Sequence, residues 1–162
     1  MVEVLASELE KPYIQGERRL VKLTPEAIAR ARESLPPDVP EQWRKAFIAM
    51  LENPPKAPVD RTVSDGEQLP YCGGITVIDT RGHTPGHISL YHRLTRTLIA
   101  GDAMVVADGK LFGPSPQFTL DLDLATRSLR KLTQYDIAAV ICYHGGLYRG
   151  DANKRISELA QV

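Results

Sequence analysis

The sequence predicts a mixed α/β chain, of α/β or α+β class. Three observations carry that reading. Helical and strand patterns alternate along the chain. The run Ile137 to Cys142 is short, apolar and β-branched, the pattern of a buried strand. Helix starts are marked by capping residues, Ser7, Thr24 and Asp151 among them. The 162 residues are 43% hydrophobic and 25% charged, enough for one soluble domain with a real core.

The elements follow in order. Val2 to Ala6 alternates like a strand. Ser7 caps a short helix from Glu8 toward Tyr13, and Gly16 stops it. Thr24-Pro25-Glu26 sets a cap and a first-turn proline for a helix to about Ser34, which Leu35-Pro36-Pro37 ends. A second helix fits Pro40 to Glu52, with Trp43, Phe47, Met50 and Leu51 on one face for core or lid packing. Asn53 to Pro58 is a rigid proline connector. Strands are expected at Val59 to Val63, Gly74 to Asp79, Ile88 to His92 and Thr97 to Ala100, the last two forming a hairpin. Asp121 to Leu132 is an amphipathic helix with Leu122, Ala125, Leu129 and Leu132 on one side. The strand Ile137 to Cys142 and a helix from Asp151 to about Ala160 close the chain. One domain over residues 1–162 is expected, a strand and helical segment to residue 58 and a β-rich half from 59.

Charge and composition exclude several classes. Twenty basic residues offset twenty acidic ones, so no basic surplus points to nucleic acid. No apolar run approaches the ~20 residues of a membrane span, and no signal-peptide pattern opens the chain. Cys72 and Cys142 stand far apart, without zinc-finger or disulfide spacing. Free thiols in a cytoplasmic protein are expected.

Of four histidines, three sit in glycine-punctuated turns. Thr80-Arg81-Gly82-His83-Thr84-Pro85-Gly86-His87 lies between two strands. Gly101-Asp102 follows one apolar strand, and Tyr143-His144-Gly145-Gly146 follows another. Imidazole and carboxylate at strand ends are the ligand set of a catalytic zinc or similar ion. Each feature alone is common, and the three in this order are specific.

Thr84-Pro85-Gly86-His87, Leu98-Ile99-Ala100-Gly101-Asp102 and Tyr143-His144-Gly145-Gly146 resemble the C-terminal metal motifs of the metallo-β-lactamase superfamily of hydrolases. The similarity runs from about Gly74 to the C-terminus. It implies a four-layer αββα sandwich with metals at one edge. It implies that His87 binds a first metal, His144 a second, and Asp102 bridges both. His83 falls outside the ligand pattern and is expected to support its loop. Tyr91, Tyr143 and Tyr148 are candidates for hydrogen bonding to substrate. The superfamily's early histidine-x-histidine-x-aspartate-histidine run has no counterpart, because no histidine precedes His83. The resemblance therefore implies a partial fold, the C-terminal half alone.

Two Zn2+ ions in an intact member would lower the pKa of a bound water and hold hydroxide against a carbonyl, hydrolysing a small ester or lactone. With half the ligands, this chain is expected to bind one ion weakly or none, and to have little activity alone. Whether the chain by itself is an enzyme stays open. The second class is a non-catalytic remnant or interaction protein stabilised by self-association. The expected partners are a small-molecule substrate once the site is complete, and a second copy in a homodimer or the missing N-terminal half. Neither nucleic acid nor membrane is expected.

Overall fold

A computed structural model describes residues 2–161. They divide into two compact units. The first holds the described residues through Leu5 and Lys11–Arg61; the second holds Ala6–Glu10 and Thr62 onward.

The first unit is helical. α1 spans Lys11–Ile14, α2 Pro25–Glu33 and α3 Glu41–Glu52. α2 starts as the sequence dictates: Thr24 Oγ1 accepts the Ala27 N–H at 3.1 Å, and Pro25 needs no such acceptor. α2 and α3 each bury one isoleucine, Ile28 and Ile48, and Arg32 pairs with Glu52 at 3.3 Å. The expected apolar face of α3 lies elsewhere. Trp43 is 66% exposed and Met50 51%, because Ile48 sits on a different stripe of the helix. The proline connector is tied to α1: Ala57 N–H donates to Ile14 O and Val59 N–H to Gln15 Oε1.

The second unit is built on a six-stranded sheet. Its strands are β3 (Gln68–Leu69), β4 (Ile75–Asp79), β5 (Ile88–His92), β6 (Thr97–Gly101), β9 (Ala139–Cys142) and β10 (Gly146–Tyr148). Their order is β10-β9-β6-β5-β4-β3. Every ladder is antiparallel except β6 against β9. β7 (Val105–Ala107) and β8 (Lys110–Phe112) form a hairpin. β1 (Leu5–Ser7) and β2 (Arg61–Val63) pair as a separate ribbon. The first strand was expected from Val2, but Val2 is exposed and β1 begins at Leu5. The short helix expected from Glu8 begins at Lys11 instead.

Alternation along the strands decides what is buried. Tyr91, Leu98, Ala100, Val140 and Cys142 point to one face. They pack with Leu129 and Leu132, and with Ala152, Ile156 and Ala160 at the C-terminus. Each large buried side chain contributes about 1.5–3 kcal/mol. Asp121 Oδ1 caps α4 (Leu122–Ser128), which tightens to a 3₁₀ turn over Leu129–Gln134. Asp151 Oδ1 caps α5 (Ala152–Leu159). The opposite face carries a row in register, Val77, Leu90, Ile99, Ile141 and Leu147. Val77 is fully buried, while Ile141 is 38% and Leu147 48% exposed. The fold is thus mixed α/β with one large sheet, and the described residues form no second sheet of comparable size.

Candidate metal centre

The topology gathers the histidines. β6 and β9 run parallel, so Asp102 and His144, each just past its strand, stand at the same sheet edge. β4 and β5 are antiparallel, so the loop that joins them, with His83 and His87, reaches that edge too. In open sheets ligands bind at such carboxyl ends.

Local sequence fixes each loop. The β6–β9 register shifts between Ile99 and Gly101, and Gly101 takes φ +60°. A Cβ there would stand 2.7 Å from His87 Nε2, so glycine is required. The His87 loop is clamped on Gly86. Ser7 Oγ donates to Gly86 O at 2.6 Å, and Glu10 Oε1 accepts the Gly86 N–H at 2.7 Å. Its other end is held by α4, where Ser128 Oγ donates to Arg81 O and Asp121 N–H to Gly82 O. The His144 loop is tied by Tyr143 N–H to Gly101 O and by Val106 N–H to His144 O. Gly145 takes φ +86°, and a Cβ there would meet Val106 O at 1.7 Å.

Asp102 is the centre of the arrangement. Its Oδ2 lies 3.4 Å from His83 Nε2 and its Oδ1 3.4 Å from His144 Nε2. The Asp102 backbone N–H donates to His87 Nε2 at 3.0 Å. The His83 and His87 rings meet edge to face, 5.8 Å between centroids. Asp102 Oδ1 is buried and makes no hydrogen bond. The Cys142 thiol is pushed up to about 12 by burial, with the Asp102 charge adding to it, so it stays protonated.

His87, Asp102 and His144 therefore stand together, and His83 stands with them. Sequence reading gave His83 only loop support; its place four residues before His87 in one glycine-rich turn was the signal for more. Thr80 and Ser89 are fully buried beside His87, and nothing in their sequence pattern marks them. The tyrosines diverge. Tyr91 lies in the core, and its hydroxyl donates to Asp136 O, before β9 rather than after it, which corrects its expected substrate contact. Tyr148 packs against the core from β10, and Tyr143 is exposed. His92 is structural: its ring nitrogens bond Thr95 Oγ1 and Cys72 O.

The chain matches the family model of the metallo-beta-lactamase superfamily over residues 12–144. The chain belongs to that superfamily. A Bacillus subtilis (strain 168) relative, "Probable metallo-hydrolase YflN", is 30% identical over 89% of this chain and 55% of its own length. A second from the same organism, "Probable metallo-hydrolase YybB", is 32% identical over 41% of this chain and 30% of its own. This superfamily member thus spans about half the length of the first relative. A metallo-beta-lactamase family protein from Thermus thermophilus superposes with TM-score 0.58 at 27% identity, over 99% of this chain and 52% of the other. An archaeal superfamily protein from Sulfolobus tokodaii gives 0.59 at 19% identity, over 98% and 57%.

Superfamily members bind metals, and one fold neighbour is described in a di-iron-bound form. The donor types here suit such an ion, but their arrangement does not enclose one. His87 Nε2 is engaged by the Asp102 N–H. Among the described residues, no group of three His, Cys, Asp or Glu side chains is placed to hold a metal. No helix of the described residues is long and apolar enough to cross a membrane.

Proposed function

We propose that this chain carries one side of a hydrolytic centre for small ester or lactone substrates, and that alone it turns such substrates over negligibly. One observation carries the reading: the Asp102 carboxylate, with an imidazole 3.4 Å from each oxygen and Oδ1 buried without a hydrogen bond. A buried carboxylate oxygen with no donor costs about 1–3 kcal/mol, a cost that persists where function uses the group. Oδ1 is the atom to accept a proton from a water at this edge. His144, 76% exposed on its side chain, faces solvent beside it and can orient a carbonyl oxygen. His83, Asp102 and His144 are the residues turned toward one point and offered to zinc in a completed centre, whereas His87 would first have to give up the Asp102 N–H; Tyr143 is the tyrosine most open to a substrate. The names of the Bacillus relatives support hydrolysis as the reaction class. Cytoplasmic residence fits two cysteines that are both unpaired.

The test is hydrolysis of lactone, thioester and ester substrates by the purified chain, with zinc and with chelator. Equal, background rates are expected. A zinc-dependent rate abolished by His144→Ala would show that this edge is sufficient on its own.

A second reading rests on the open sheet face. Ile141 and Leu147 are exposed apolar neighbours on β9 and β10, continuous with Ile99 and Leu90. The formal net charge is zero, so two copies do not repel one another strongly. In this reading the partner is a second copy of the chain, each covering the other's face in a symmetric dimer.

A further inference from the structure

The His87 ring is held by a chain of hydrogen bonds whose two ends admit only one direction. At one end the Asp102 backbone N–H points at His87 Nε2, 3.0 Å away. A backbone N–H only donates, so Nε2 must carry a lone pair. At the other end Ser89 Oγ lies 3.1 Å from Ala100 O, and a carbonyl only accepts. Between them His87 Nδ1 is 2.9 Å from Thr80 Oγ1, which is 2.8 Å from Ser89 Oγ.

A hydroxyl has one proton to give. Ser89 gives its proton to Ala100 O, so it accepts from Thr80. Thr80 has then given its own, so it accepts from His87 Nδ1. His87 must therefore be neutral imidazole with the proton on Nδ1, the state that Asp102 N–H demands independently. The series starts at Asp102 and ends at Ala100, the two residues flanking Gly101, and so closes a ring on the turn that presents the carboxylate. Thr80 is 1% and Ser89 0% exposed, so water does not compete for these groups. Hydrogen bonds in series in a dry site polarise and strengthen one another.

We propose that Thr80 and Ser89 are positioning residues that lock His87 in its Nδ1–H tautomer and hold Nε2 against the Asp102 turn. The ring also makes His87 a brace for the carboxylate it flanks, since whatever engages Nε2 must first displace the Asp102 N–H. The proposal concerns the state of one side chain in the chain as it stands, and it does not depend on the hydrolase reading.

The experiment is nitrogen NMR of the full chain with 15N-labelled histidine at neutral pH, His87 being assigned by its loss in His87→Gln. A protonated Nδ1 and a bare Nε2 are expected for His87, with slow exchange of the Nδ1 proton. Thr80→Val keeps the shape and removes both the acceptor for Nδ1 and the donor to Ser89. The Nδ1 proton should then exchange at least tenfold faster, while the Asp102 N–H keeps Nε2 bare. Thr80→Ser restores the hydroxyl and should restore slow exchange. Ser89→Ala frees the Thr80 proton and should give an intermediate exchange rate. A wild-type spectrum with the proton on Nε2 overturns the proposal, whether or not Thr80→Val folds. So does a folded Thr80→Val chain whose Nδ1 proton exchanges at the wild-type rate. Hydrolysis or its absence leaves these spectra unmoved, so the two readings fail separately.

Discussion

The two units reach order by different means. In the second, fifteen buried residues form one contiguous cluster between the sheet and the segments after it. In the first, the buried hydrophobic side chains are Ile28, Ile48 and Val59, and Trp43 and Met50 remain exposed. One unit is held by area removed from water. The other relies on caps, connector hydrogen bonds and surface ion pairs, each small by itself. The precision needed to hold an aspartate between two imidazoles is found where the packing is dense.

Truncation in each unit measures that difference. Leu129→Ala removes a fully buried side chain beneath the sheet, and a loss of about 3–5 kcal/mol is expected. Ile48→Ala removes the buried side chain of α3 in a unit with few others, and a loss of about 2 kcal/mol, the low end for such a truncation, is expected. Urea denaturation of the two variants, read by backbone circular dichroism, makes the comparison. Equal losses would show that the helical unit is as tightly packed as the sheet.

The same difference explains what the sequence could tell. Strands of five residues with a buried face, such as Ile75–Asp79 and Ile88–His92, write their alternation plainly, and the reading finds them. So do capped helices such as Pro25–Glu33. Four of the strands of two or three residues write almost nothing in the sequence: Gln68–Leu69, Val105–Ala107, Lys110–Phe112 and Gly146–Tyr148. The Asp108-Gly109 turn signal between two of them was present and unread. The face of α3 was misjudged because periodicity names an apolar stripe without saying what packs against it. In the site, His87, Asp102 and His144 were legible from glycine turns after strands. Thr80 and Ser89 were not, since a buried hydroxyl takes its role only from partners seven and nine residues away.

The open face of the sheet sharpens the contrast from another side. If a second copy covers it, the melting temperature should rise with protein concentration, because partner and fold are linked by mass action. Sedimentation over a wide dilution range should show a dimer that dissociates. Ile141→Lys with Leu147→Lys places two charges on the row and should leave a monomer with a lower, concentration-independent melting temperature. A wild-type chain that is monomeric at every dilution, with a constant melting temperature, would remove the self-association reading.

A smaller effect comes from the ion network beside the His87 loop. Asp79 is partly buried, which disfavours its charge, but the Arg81 hydrogen bonds and then the Lys131 charge outweigh burial and lower its pKa. A lowered carboxyl stabilises the fold above the unfolded value of about 3.9, and the benefit is lost as pH falls through the folded value. Asp79→Asn should therefore cost about 1–2 kcal/mol at neutral pH and much less at pH 2. Urea midpoints of the two proteins across pH 2–7 should converge in acid. Parallel curves would mean that Asp79 acts through its shape alone.

The smallest expected effect lies in the helical unit, at the start of α2. Thr24 Oγ1 accepts the Ala27 N–H at 3.1 Å, one of the donors that the first turn of any helix leaves unpaired. Thr24→Ala removes that acceptor and should cost about 1 kcal/mol. Because the first unit has few buried contacts to spare, the loss should appear there as faster amide exchange along Pro25–Glu33. Exchange in β6 and β9 should stay at its wild-type rate, since those amides open only with the dense core. Thr24→Ser and Thr24→Asp keep an acceptor at the same place and should recover most of the protection. If Thr24→Ala speeds exchange in β6 and β9 as much as in α2, the two units unfold as one, and the contrast between them is one of packing without being one of cooperativity.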